Sequence, residues 1–138
     1  MALDSTGFLA VSLLPTGVGP DTATLTASEA LSAGSFINVW NNAGTPSARK
    51  ADASVSGKEA HGFVLSAFAS GAQALVYFYG RNTAVTGQTA GPVYLSAATP
   101  GGATSTAPSG AGQTVQRIGV AVSASEINFE ALQPIVLA

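Results

Sequence analysis

The sequence predicts a small all-β domain, a β-barrel or β-sandwich of short strands and hairpins with at most one or two helical turns. Three observations predict it. Gly, Pro, Asn and Asp recur at 17–21, 41–46, 56–57, 70–71, 80–82, 91–92, 100–102 and 108–112, and breaks that close together leave no room for helices of ordinary length. The segments between them are enriched in Val, Phe, Tyr, Thr and Ile, which pack well on a pleated surface. The length of 138 residues suits one compact domain.

The chain opens with an apolar run, Phe8-Leu9-Ala10-Val11-Ser12-Leu13-Leu14, that stops at Pro15. It is too short to span a bilayer, which needs about 20 apolar residues. It also lacks the positive region of a secretory signal, because no Lys or Arg precedes Arg49. Leu3, Phe8, Leu9, Val11, Leu13 and Leu14 are the densest group of large apolar side chains outside the expected strands, and Pro15-Thr16-Gly17 separates them from the rest of the chain. Residues 1–20 are therefore either an arm that binds a partner through these six side chains or the first strand of the domain's own sheet. Residues 21–138 form the β domain.

Within that domain strands are expected at 22–27, 36–41, 48–55, 62–68, 72–79, 92–97, 103–107, 115–124 and 126–130. At 27–33 Ser28 offers a cap for a single helical turn, the one place where helix competes. Alternation in Phe36-Ile37-Asn38-Val39-Trp40 puts Trp40 on the face of Phe36, while Phe78 falls opposite Tyr77 and Tyr79. Such aromatics serve as core and interface anchors or stack on a sugar ring. In Thr99-Pro100-Gly101-Gly102, Pro100 presets φ for the second turn position and Gly101 supplies the positive φ that a type II turn needs next, so 92–97 and 103–107 read as a hairpin. A faint echo links Gly62-Phe63-Val64-Leu65-Ser66-Ala67 with Gly119-Val120-Ala121-Val122-Ser123-Ala124. Two equivalent hairpins would explain it, and so would chance in an Ala- and Ser-rich chain.

Composition narrows the function. Only 9% of residues are charged, against roughly 25% in ordinary domains, and mean hydropathy is +0.35. Few charges keep copies apart, so an assembly that buries apolar area is expected over a fully solvated monomer. The five positive residues do not cluster beyond Arg49-Lys50 and the net charge is −2, so no nucleic-acid or membrane partner is expected. Zero cysteines remove disulfides, thiolate metal sites and cysteine nucleophiles together.

Candidate chemistry is sparse. His61 is the single imidazole, set between Ala60 and Gly62 with no nucleophile-elbow spacing, and is assigned to packing or hydrogen bonding. The carboxylates Asp4, Asp21, Glu29, Asp52, Glu59, Glu126 and Glu130 are scattered singly; this suits turns, although spacing alone leaves a paired-acid site open. No EF-hand, zinc or P-loop pattern occurs. Neither cofactor nor catalytic residues are expected, and the chain is read as no enzyme.

From Ala60 to Glu130 the chain resembles the capsid decoration (cement) and head-fibre proteins of tailed bacteriophages. The matching pieces are Ala60-His61-Gly62-Phe63-Val64, Gly91-Pro92-Val93-Tyr94-Leu95-Ser96, Thr99-Pro100-Gly101-Gly102 with Thr104 and Thr106-Ala107-Pro108, and Val115-Gln116-Arg117-Ile118-Gly119-Val120-Ala121 with Ser123-Ala124 and Ile127. They cover about half of the chain and occur in the family's order. The resemblance implies a β-rich protein, commonly a homotrimer, made in the host cytoplasm and placed on the outer capsid surface where major capsid protein subunits meet. It implies no active site. A carbohydrate-binding or attachment module on a phage head or tail fibre is the alternative, and a small hydrolase built on His61 a third class.

Overall fold

The computed structural model describes residues 21–138. The six apolar residues assigned to partner binding, Leu3, Phe8, Leu9, Val11, Leu13 and Leu14, lie outside them, as does the choice between arm and first strand. The described residues form an all-β domain of twelve strands with no helix, so none is long and apolar enough to cross a membrane.

Five strands close a barrel. β1 (Thr22–Ala27) runs parallel to β3 (Thr45–Lys50) and antiparallel to β5 (Gln73–Tyr77), while β2 (Phe36–Asn42) joins β3 to the two-residue β4 (Gly62–Phe63), which meets β5. Alternation then sorts the side chains. Ile37, Ala48, Val64, Ala74 and Val76 form one buried cluster, small enough to fill a narrow barrel. Phe36 and Phe63 point the other way, and with half-buried Tyr77 they pack against a second sheet.

That second sheet is ordered β6 (Gly80–Asn82), β11 (Glu126–Phe129), β10 (Arg117–Ser123), β7 (Gly91–Leu95) and β8 (Ala103–Thr104). Its inner face supplies Val93, Leu95, Ile118, Ala121, Ile127 and Phe129 to the shared core. Ring centroids of Phe36 and Phe129 lie 5.5 Å apart, those of Phe63 and Tyr77 5.5 Å, and those of Phe63 and Phe129 5.6 Å. A chain with few large side chains concentrates its aromatic packing where barrel meets sheet, and each such pair adds roughly 0.5–1.5 kcal/mol beyond the area it buries. β9 (Thr114–Val115) and β12 (Ile135–Val136) form a separate two-stranded ribbon.

Several elements differ from expectation for local reasons. Residues 28–34 bend, bridge and turn without helix, because Ser28 is used elsewhere: its hydroxyl donates to the Ala48 carbonyl and accepts from the Trp40 indole. β3 starts at Thr45 because Ala43 (φ 52°) and Gly44 (φ 93°) make a two-residue hairpin loop with both central residues at positive φ. Pro46 is tolerated within β3 because β1 pairs with this strand only at Ser47 and Ala48. At 99–102 the expected turn forms, with Gly101 at φ 76° and the Gly102 amide donating to the Thr99 carbonyl at 2.9 Å. The expected strand 115–124 is interrupted at Gln116, whose side chain is buried. The two echoing segments are not equivalent, since β4 has two residues and β10 seven.

Candidate interaction surface

The outer face of the second sheet carries a row set by strand register, Arg81–Asn128–Val120–Pro92. Beside it opens a cleft of about 570 Å³ whose walls include Tyr79, Arg81, Arg117, Val120, Glu130 and Leu132. Pleating explains the placement: Ile118, Ala121 and Ile127 face the core, which turns Val120 and Asn128 outward. Gly119 lies close against β11, where a Cβ would run into the Asn128 carbonyl oxygen.

The rim is charged. Arg81 Nε donates to Glu126 Oε2. That hydrogen bond holds the Glu126 carboxyl below the usual carboxylate range and raises the Arg81 guanidinium above its ordinary value. A carboxyl lowered on folding adds stability that is present above the ordinary carboxylate range and fades as pH falls through the lowered value. Both groups are solvated, so the pair mainly orients the rim. Arg117 has no side-chain hydrogen bond or ion pair among the described residues, and it shares the cleft wall with Glu130.

Several large apolar side chains are exposed. Tyr79 is 50% exposed, Leu132 47%, Ile135 62% and Val136 53%, and Val122 on β10 is also exposed. Leu132 sits on the cleft wall, and Ile135 and Val136 follow it within a few residues on the short ribbon with β9. Tyr79 and Leu132 line the cleft, and in a chain with so few charges large apolar groups exposed at a cleft mark a contact surface.

The sequence-derived candidates sit elsewhere. His61 Nδ1 accepts from the Val39 amide at 3.0 Å, which puts the neutral ring's proton on Nε2, 3.6 Å from Glu59 Oε2. Its own amide donates to the Ile37 carbonyl at 2.7 Å. The imidazole thus ties β2 to the segment entering β4, and its partners are a backbone amide and a carboxylate, not a hydroxyl. Among the described residues no three His, Asp or Glu side chains gather as a metal site.

Trp40 is half-buried on the barrel. Its indole Nε1 donates to Ser28 Oγ at 3.0 Å, and the Arg49 guanidinium lies 4.4 Å from the ring centroid. Arg49 is itself fixed by donating to Asn38 Oδ1 at 2.8 Å and to the Gly57 carbonyl at 3.3 Å, so one ring face is already covered. A shallower cleft of about 320 Å³, with Val39, Trp40 and Pro46 among its walls, adjoins the ring. Phe78 packs with the barrel cluster and Tyr77 with the other, on opposite faces as alternation required.

Sequence reasoning missed the cleft on the second sheet because 80–82 read as a break and not as a strand. A usable signal was present: two of the chain's three arginines stand in or beside expected strands of an almost uncharged protein, Arg117 within 115–124 and Arg81 just after 72–79. No family model, curated protein or solved structure matches the chain.

Proposed function

We propose that this protein is a structural capsid decoration protein that binds the outer surface of an assembled phage head as a homotrimer and bridges major capsid protein subunits. The observation that carries the reading is exposed apolar surface, Tyr79 and Leu132 on the cleft of the second sheet together with the exposed Val122, Ile135 and Val136, which suits contact with protein. The resemblance in the segment 60–130 supplies the kind of partner. The mechanism is mass action. A protein that binds the lattice and not its dissociated subunits favours the lattice by RT ln(1 + [L]/Kd) per site, about 2.7 kcal/mol at a hundredfold excess over Kd. Closed threefold symmetry lets each copy bury the same patch and match a local threefold of a shell.

Native mass spectrometry of the purified chain is expected to show a trimer, and co-sedimentation with heads is expected to carry the protein into the pellet. A strict monomer at micromolar concentration that leaves heads unbound would sink the proposal. The double variant Ile135→Glu/Val136→Glu is expected to weaken self-association by at least about tenfold, since each buried aliphatic side chain contributes roughly 1.5–3 kcal/mol. Its far-UV circular dichroism should not change, because both side chains are solvent-exposed in the single chain.

Attachment to carbohydrate is the second reading, and Trp40 with its adjoining cleft is the feature that favours it. Binding on a glycan array that is lost in Trp40→Ala would select it over decoration.

A further inference from the structure

A further cleft, of about 350 Å³, opens where the barrel meets the loops of the second sheet. One wall is the segment entering β2, together with Lys50 at the end of β3; the other is the chain between β6 and β7 and the turn that joins β7 to β8. Close backbone approach shapes it. A Cβ on Gly34 (φ 84°) would run into the Ala84 carbonyl oxygen, and one on Gly101 (φ 76°) would stand 3.2 Å from Ser35 Oγ and 3.4 Å from Lys50 Cγ. The Ser35 hydroxyl and the Lys50 stem therefore meet above Gly101.

The donors gathered here are unspent. Ser35 is 7% exposed, and its Oγ accepts from the Ser32 amide at 3.3 Å while the hydroxyl hydrogen has no acceptor among the described residues. The half-buried Lys50 is the one charged side chain on the walls. Its ammonium has no hydrogen bond or ion pair among the described residues. Glu29 Oε2 accepts from the Lys50 backbone amide at 2.7 Å, but that carboxylate forms no ion pair with the ammonium and is not on the walls. The Val85 and Thr86 amides likewise donate to no acceptor among the described residues. Donors held together in this way suit an acceptor-rich ligand, and the cation makes an anionic one the better fit.

Volume and lining narrow the class. A bare inorganic ion would leave most of a cleft of about 350 Å³ unused, whereas pockets that hold organic ligands run from roughly 300 to 1,000 Å³. The rest of the lining includes the hydroxyls of Ser32, Thr86 and Thr99 and the Gln88 amide, whose Nε2 donates to the Thr86 carbonyl at 3.0 Å and leaves Oε1 to accept. Hydroxyls and an amide oxygen both pair with the hydroxyl groups of a ligand. We infer that this cleft binds a sugar acid of about one ring, with its carboxylate on the Lys50 ammonium and the Ser35 hydroxyl and its hydroxyl groups on Thr86, Gln88 and Thr99. The site shares no wall residue with the second-sheet cleft or with the cleft beside Trp40, so it does not depend on the decoration reading and leaves the exposed apolar surface free.

Titration of the full chain with sodium glucuronate, followed by amide chemical shifts, tests the inference. Saturable shifts are expected at residues 34–35, 50, 84–88 and 99–102, with an affinity at least about tenfold above that for glucose, the effect of one charge-assisted hydrogen bond. Lys50→Met keeps the stem beside Gly101 and is expected to weaken glucuronate binding by about the same factor without altering glucose binding or the far-UV circular dichroism. Ser35→Ala is expected to weaken glucuronate binding as well. Equal affinity for glucuronate and glucose, inorganic sulfate binding as tightly as glucuronate, or unchanged binding in both variants would overturn the inference. The absence of a saturable shift, or shifts confined to Trp40 and Asn41, would do the same.

Discussion

Gly119→Ala is expected to remove a large part of the stability of the domain. The added methyl would stand 2.0 Å from the Asn128 carbonyl oxygen and 2.9 Å from its carbonyl carbon, at a backbone φ of 148°. Those atoms belong to β11, so no side-chain rotation relieves the clash. Gly119 pairs with Phe129 on one side and Val93 on the other, and moving the strands apart would disturb Phe129 and Ile127 in the core. The expected loss is on the order of 4 kcal/mol, the range reached when strain and core disruption combine, out of a total of about 5–15 kcal/mol. Gly112→Ala is the control. It shares a positive φ, 79°, but a Cβ there meets nothing within 4 Å, so it should lose only about 1–2 kcal/mol of backbone preference. Urea midpoints of the two variants decide the matter, and equal losses would show that close approach at Gly119 is not the cause.

Local turn chemistry made much of the fold readable. Pro100 and Gly101 announced their turn, and the alternation of 36–40 set Phe36 and Trp40 on one face without saying which of them would be buried. What could not be read was set by distant contacts. Gly80-Arg81-Asn82 has turn composition, yet it forms an edge strand because β11 lies beside it and the buried Asn82 side chain donates to the Gly34 carbonyl at 3.0 Å. β12 was equally hidden, since two exposed residues pair with β9 across a long sequence separation. The parallel β1–β3 pair that closes the barrel has no local signature either. The cleft shares this origin, because Tyr79 and β6 on one side meet β10, β11 and the segment after β11 on the other, two stretches far apart in sequence.

Gln116→Leu is the second large effect to expect. The Gln116 side chain is 2% exposed; its Oε1 accepts from the Ala60 amide at 2.7 Å, and its Nε2 donates to the Ala60 carbonyl at 2.9 Å and the Leu132 carbonyl at 3.2 Å. One amide therefore ties the segment entering β4 of the barrel to the second sheet and to the chain after β11. Leucine fills a similar volume but leaves both backbone groups of buried Ala60 without partners, and each orphaned group costs roughly 1–3 kcal/mol. The expected loss is about 4 kcal/mol, the sum of two such groups, with unfolding still cooperative because the aromatic core is untouched. Gln116→Glu separates hydrogen bonding from packing. The ionised carboxylate keeps the Ala60 N–H bond but faces two carbonyl oxygens, so its pKa should rise on folding and the charged form should be disfavoured. A raised carboxyl stabilises most at low pH and loses that contribution as pH rises through the folded value. The Glu variant should therefore recover stability relative to the unaltered protein on acidification, while the Leu variant should not. Chemical denaturation of all three at two pH values reads the difference, and parallel behaviour of Glu and Leu would mean that the three hydrogen bonds of Gln116 do not hold barrel and sheet together.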